Sequence, residues 1–280
     1  MQYHQLSDAT AHQLLVNKLV LDDVRRLIAV ALDEDLKNGH DVTTNSTVPV
    51  SQRSIGVFAT RANGCIAGLD VAVGVLEMVC GSENIIATKH VDDGARVKPG
   101  DKLLSVDGPT RGLLTAERTA LNLLCQLSGV ATATSEWVDA LVNTGAQVRD
   151  TRKTTPGMRA LEKYAVRCGG GINHRMSLSD AALVKDNHIA AAGGVAEAFA
   201  LVQAYAPNIA IEIEVDTLDQ LQIALAAGAD LVLLDNMAPA MLKEAVAIAA
   251  KHRIATGNDV VLEASGGLTL ESAAAVGATG

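Results

Sequence analysis

From about residue 146 to residue 267 the chain repeats one pattern: a short apolar run, a polar cluster, then a helical segment. The runs end as AQVRDTRK, AALVKDNH, IEIEVD, LVLLDN and VVLEASGG. Helices are expected over 159–168, 193–205, 217–227, 238–251 and 269–276. Strands alternating with helices at this spacing predict consecutive βα units and a parallel sheet or barrel. Aromatic residues make up 2% of the chain. The core must therefore be built from Ala, Val, Leu and Ile, as buried parallel strands prefer.

Each apolar run stops at ionisable or small polar residues. They are Arg152 and Lys153, Lys185 and Asp186, Glu214 and Asp216, Asp235 and Asn236, then Glu263, Ser265, Gly266 and Gly267. In a (β/α) barrel the C-terminal strand ends converge on one rim, where βα loops build active sites. One such residue would read as a solvated loop charge. Five consecutive loops point to a site.

The segment 149–188 holds eight Lys or Arg and four acids, a net charge of +4 in a chain of −9. Such a reversal implies an anionic ligand. Arg152, Lys153, Arg175 and Lys185 supply cations; Glu214 and Asp235 supply carboxylates. The ASGGL loop offers backbone N–H groups ahead of the helix at 269–276, an anion site. Arginines suit flat carboxylates and lysines suit phosphates. Loop carboxylates favour Mg²⁺ over Zn²⁺. The expected ligands are a small polycarboxylate and a polyphosphate with Mg²⁺.

In CGGGINHR, consecutive glycines permit close backbone approach and unusual dihedrals. A flexible loop is one reading; placement of His174 and Arg175 over the rim is the other. Arg149 and Asp150 read as structural. Arg159, Lys163 and Arg167 recur at helical spacing and read as a solvated helix face.

Before residue 115 the grammar differs. A helix is expected over 20–37, a strand over 55–61, a helix over 70–80 and a strand over 85–91. Strand-like pieces follow, separated by Asp-Gly and Pro-Gly turns. This mixture without regular alternation suggests an α+β domain. A long helical stretch then runs from Thr115.

The acidic balance argues against general nucleic-acid binding, which needs basic surface. Cys65, Cys80, Cys125 and Cys168 match no metal spacing and read as reduced thiols in a cytoplasmic protein. No signal peptide or membrane-length apolar run is present.

The segment RDTRKTTPGMRALEKYAVRCGGGINHR, with LVKDNH, EIEVD, LLDN and LEASGG, resembles the quinolinate phosphoribosyltransferases. The likeness extends upstream through LDEDL, GHDVTT, ATRANGCIAGLDVA, VDDGARVKPGD and GLLTAERTALNLLCQLSGVATAT. It implies an α/β fold: an N-terminal α+β sandwich domain (1–121), then an incomplete (β/α) barrel catalytic domain (122–280). It implies transfer of phosphoribosyl from phosphoribosyl pyrophosphate to quinolinate, giving nicotinate mononucleotide, pyrophosphate and CO₂ on the route to NAD. It implies a homodimer in which Arg118, otherwise read as a helix-surface residue, enters the neighbour's site.

By the same resemblance Arg152, His174 and Arg175, with the partner's Arg118, would clamp quinolinate. Lys153 and Lys185 would face phosphoribosyl pyrophosphate. Glu214 and Asp235 would hold Mg²⁺ and the ribose hydroxyls. Ser265, Gly266 and Gly267 would bind the 5′-phosphate. The family pattern continues with a strand and a second glycine-containing phosphate loop beyond the equivalent of Gly280. A chain ending at Gly280 is therefore expected to be destabilised and poorly active. Three alternatives stay open on sequence. One is a paralogue with another acceptor, such as the molybdenum-operon relative. Another is a barrel lyase using Lys185 or Lys153 as a Schiff-base nucleophile. The third is a non-catalytic relic.

Overall fold

The structure is a computed structural model that describes residues 3–280. The chain divides into two compact units. The first comprises the chain through Val138 together with Val148–His174; the second comprises Asp139–Gln147 and Arg175–Gly280.

In the first unit the order is α1 (Asp8–Val16), α2 (Leu21–Leu36), α3 (Val42–Thr47), β1 (Arg53–Ala59), β2 (Gly64–Cys65) and α4 (Leu69–Cys80). Then come β3 (Ile86–Lys89), β4 (Arg96–Val97), β5 (Lys102–Pro109), the long α5 (Thr110–Ala140) and α6 (Arg159–Cys168). Strands β1, β5 and β3 form an antiparallel sheet with β5 central; β2 and β4 form a small antiparallel pair. α2 buries Val24, Ile28, Leu32 and Leu36, one face at four-residue spacing. α4 is buried almost all round. Its Glu77 carboxylate accepts from Ser7 N, Ser7 Oγ and Thr10 Oγ1 at 2.7–2.9 Å, fixing the start of α1.

The second unit runs β6 (Ala182–Val184), α7 (Asp186–Ala192), α8 (Val195–Tyr205), β7 (Ile211–Val215), α9 (Leu218–Ala226), β8 (Leu231–Asp235), α10 (Pro239–Thr256), β9 (Val261–Ser265) and α11 (Leu270–Gly277). The four strands form one parallel sheet in order β6-β7-β8-β9. Each unit has its own core. In the second, Val184, Ile211, Ile213, Val215, Val232 and Leu234 pack with residues of α8, α9 and α10. Because side chains alternate along a strand, Glu212, Glu214, Leu233, Asp235, Glu263 and Ser265 take the opposite face.

The α/β class, with an α+β portion before a parallel βα portion, is as expected. Three local readings are corrected. The run AQVRDTRK is not a regular strand: only Arg149 pairs, in an isolated parallel bridge to Ile172. Its polar side chains lack both the continuous apolar run and the two-residue alternation that a sheet rewards. α7, directly after Lys185, is an additional helix. Lastly, Arg159, Lys163 and Arg167 are not a solvated face: Lys163 is 1% exposed and the other two are half-buried.

Candidate active site

The first unit carries Arg118, Arg152, Lys153 and His174. Arg118 lies exposed on α5, as a helix-surface reading requires. Arg152 and Lys153 stand on the loop between Val148 and α6. Arg152 is half-buried, and its Nε is a buried donor with no hydrogen-bond partner. A buried unpaired guanidinium N–H is costly, and a ligand acceptor relieves that cost. Lys153 is exposed, its main chain turned by Thr151 Oγ1, which accepts from Lys153 N at 2.9 Å. His174 is buried. Its N–H donates to Asp150 Oδ1 at 2.7 Å and its carbonyl accepts from Lys163 Nζ at 2.9 Å.

The three glycines before His174 are tightly packed. A Cβ on Gly169 would stand 2.4 Å from the Ala131 carbonyl on α5, and one on Gly171 would stand 2.8 Å from Val166. Gly170 has φ +90°, in the left-handed region. These glycines serve close backbone approach, packed against α5 and α6, rather than a loose loop.

In the second unit Lys185 pairs with Glu214 across β6 and β7. Lys185 N donates to His188 Nδ1 at 2.9 Å, which starts α7. Glu214 is in register with Leu233, and Asp235 lies two residues further along β8. Alternation puts both carboxylates on one face of adjacent strands. Asp235 Oδ2 accepts from Asn236 Nδ2 at 2.7 Å, with Asn236 in the left-handed region at φ +54°. Asp235 is paired with Ser265, and the chain then turns through Gly266 (φ +84°) and Gly267 (φ +61°). A Cβ on Gly266 would lie 2.2 Å from Asn236 Oδ1 and 2.8 Å from Asp235 Oδ1, so only glycine fits against that strand end. The two glycines form a tight turn just ahead of the N-terminus of α11, where main-chain N–H groups are left over. α11 follows with a capping box between Thr269 and Ser272. Arg175 is half-buried and donates to the Ala181 carbonyl at 3.0 Å.

The sequence reading took Asp150 as structural, which holds, but missed Glu162, Lys163 and Asn173 behind these residues. Asp150, Glu162, Lys163 and Asn173 hold the loops that carry the cations. The density of charge in 159–167 signalled Glu162 and Lys163, and helical spacing hid their burial.

At the strand ends of the second unit a lysine, two carboxylates on one face and a glycine turn ahead of a capped helix make a set suited to an anionic, phosphorylated ligand. The comparisons narrow this class of ligand. The quinolinate phosphoribosyl transferase N-terminal domain model matches residues 41–128, and the C-terminal domain model matches 130–280. The chain belongs to the quinolinate phosphoribosyltransferase family. It is 50% identical over 259 residues to a nicotinate-nucleotide pyrophosphorylase [carboxylating] of Mycobacterium leprae, covering 92% of this chain and 90% of that one. A quinolinate phosphoribosyltransferase [decarboxylating] of Nicotiana tabacum is 36% identical, covering 92% and 76%. The solved nicotinate-nucleotide pyrophosphorylase of Francisella tularensis superposes with a TM-score of 0.87 at 38% identity, covering 95% and 90%.

Proposed function

We infer that the protein transfers the phosphoribosyl group of phosphoribosyl pyrophosphate to quinolinate, releasing pyrophosphate and CO₂ and yielding nicotinate mononucleotide for de novo NAD synthesis. The observation that carries this reading is the match of both family domains across residues 41–280. The residue roles are our assignment. Arg152, His174 and Arg175 hold the two quinolinate carboxylates, and the orphaned Arg152 Nε supports this. Lys153 and Lys185 face the phosphoribosyl pyrophosphate. Ser265, Gly266 and Gly267 take the 5′-phosphate, a role that the left-handed turn at Gly266 and Gly267 ahead of α11 supports.

The ring nitrogen of quinolinate attacks ribose C1 as the C1–O bond to pyrophosphate breaks. Positive charge grows on the ribose and negative charge on the leaving group. Lys153 and Lys185 stabilise the latter as preorganised charges. The quaternised ring is then an electron sink. The adjacent carboxylate leaves as CO₂, its bonding pair enters the ring, and the carbon takes a proton from solvent. That loss needs no dedicated acid or base; a site that excludes water favours it.

Two carboxylates on one face of neighbouring strands, with phosphate oxygens from substrate, suit Mg²⁺. Glu214 and Asp235 would hold the ion, which when bound neutralises charge on the pyrophosphate. In an assay with quinolinate, phosphoribosyl pyrophosphate and Mg²⁺, the folded protein is expected to form nicotinate mononucleotide and CO₂. EDTA is expected to stop turnover and added Mg²⁺ to restore it. No turnover overturns the function; turnover that persists in EDTA overturns the metal.

We assign the protein to the cytoplasm, in accord with its four free cysteines. No helix among the described residues is long and apolar enough to cross a membrane. We also assign a homodimer in which Arg118 serves the neighbouring site. Arg118 is exposed, and one face of the first unit's sheet leaves Ile55, Val57 and Ile86 48–69% exposed. Arg118→Ala and Lys185→Ala chains are each expected to be nearly inactive. Mixed and allowed to exchange subunits, they should regain about a quarter of wild-type activity, because half the dimers then carry one intact site. No recovery despite measured exchange would remove Arg118 from the partner's site.

A further inference from the structure

α6 faces the loops before and after it with four charged side chains, and each is committed. Arg159 donates to Thr154 Oγ1 at 3.1 Å and to the Arg152 carbonyl at 3.5 Å. Glu162 accepts from Thr155 N at 3.0 Å. Arg167 donates to Asn173 Oδ1 at 2.6 Å. Lys163, 1% exposed, pairs with Asp150 and also donates to the His174 carbonyl at 2.9 Å. Asp150 in turn takes the His174 N–H at 2.7 Å on one oxygen and Asn173 Nδ2 at 2.6 Å on the other. Asn173 Nδ2 also donates to the Lys163 carbonyl at 2.8 Å. α6 itself is tied to α4. Tyr164 Oη donates to Asp93 at 2.5 Å, and Asp93 accepts from Gly68 N and Leu69 N at 2.9 and 3.1 Å.

A buried ion pair is a poor way to gain stability. An apolar pair of similar volume is often as good or better, because two charges must leave water. What the Asp150–Lys163 pair does supply is geometry. It grips both main-chain groups of His174, one through each partner. Asp150 sits two residues before Arg152, and its N–H donates to the Ile172 carbonyl at 3.1 Å. The two loops are thus joined at the base of the side chains they present.

We propose that Asp150, Lys163 and Asn173 are positioning residues that set the Arg152 loop and the His174 main chain in one fixed relation, so that recognition of the acceptor acid depends on them. They do not touch substrate. The proposal rests on the assignment of Arg152 and His174 to quinolinate. Small displacements of a positioned group cost about 10²-fold in rate, whereas the KM for phosphoribosyl pyrophosphate should change less, since Lys153 is the one group assigned to it on the Arg152 loop and the others lie in the second unit.

The test compares wild type, Lys163→Met, the double variant Asp150→Asn/Lys163→Met, and Asn173→Ala. Lys163→Met leaves Asp150 buried without its cation and is expected to lose thermal stability. The double variant carries no unpaired charge and is expected to recover a melting temperature near wild type. Its kcat/KM for quinolinate should stay about 10²-fold low, with the KM for phosphoribosyl pyrophosphate within about threefold. Asn173→Ala keeps the ion pair and should show a smaller loss of the same kind. A folded double variant with quinolinate kcat/KM within about threefold of wild type would overturn the proposal. So would equal rises in the KM of both substrates. A second readout needs no substrate: the His174 amide should resist hydrogen exchange in wild type and exchange faster in the double variant. Free exchange at that amide in wild type overturns the clamp even if no variant folds. If wild type fails to turn over quinolinate, the functional reading falls, and the amide still decides whether the clamp exists.

Discussion

Arg152→Ala is expected to lower kcat/KM for quinolinate by about 30- to 4,000-fold. That range is the kinetic equivalent of the ~2–5 kcal/mol lost when one partner of a buried, hydrogen-bonded charge pair is removed. The expectation comes from the site as it stands. Arg152 Nε is buried and makes no hydrogen bond within the protein, so its donor is spent only on a ligand. Removing it should leave a quinolinate carboxylate desolvated against an apolar gap. Arg152→Lys should recover little, because an ammonium restores charge without the planar fork. Steady-state kinetics with each substrate varied in turn provide the check. A defect confined to the KM for phosphoribosyl pyrophosphate would move Arg152 out of the acceptor subsite.

Lys185→Ala is expected to act on the other half of the reaction. Its ammonium pairs with Glu214 at the end of β6, where departing pyrophosphate is assigned. Loss of a preorganised group that stabilises developing negative charge costs about 10²–10³ in kcat. The KM for quinolinate should change little. Lys185→Arg should restore part of the rate, since a second cation serves a phosphate nearly as well as the first. A Lys185→Ala enzyme with wild-type kcat would place the leaving group elsewhere and leave Lys185 as the ion-pair partner of Glu214 alone.

The second unit was the most legible part of the sequence. IEIEV and LVLLD are apolar enough to be buried strands, and their last residues mark the strand ends. The turn at Gly266 and Gly267 was readable because two adjacent glycines before a capped helix suit a tight turn. The first unit resisted where tertiary contact outweighs local pattern. AQVRDTRK was read as a strand from its place in the repeat, yet its backbone makes one bridge and then follows hydrogen bonds from α6. Lys163 shows the same limit more sharply. Its spacing with Arg159 and Arg167 is what an exposed stripe would show. Only the position of Asp150, thirteen residues away, makes it an interior residue. Asp93, which receives Tyr164 and two main-chain donors, entered the sequence reading only as part of an Asp-Gly turn and the VDDGARVKPGD motif, with no sign of those partners. Burial pushes its carboxyl and the Tyr164 hydroxyl above their ordinary ranges.

The interleaving of the two compact units bears on how the polypeptide is made. The first unit needs Val148–His174, yet residues 139–147, which belong to the second, are synthesised before them. A ribosome adding about 5–20 residues per second therefore cannot release a finished first unit and then begin the next. Until α6 and the glycine triplet arrive, α1 to α5 lack the Tyr164–Asp93 hydrogen bond and the packing of Gly169 on α5. For the same reason, scission near residue 129, between the two matched family domains, would separate α6 from the helices it braces. The severed pieces would have to reassociate to rebuild either loop.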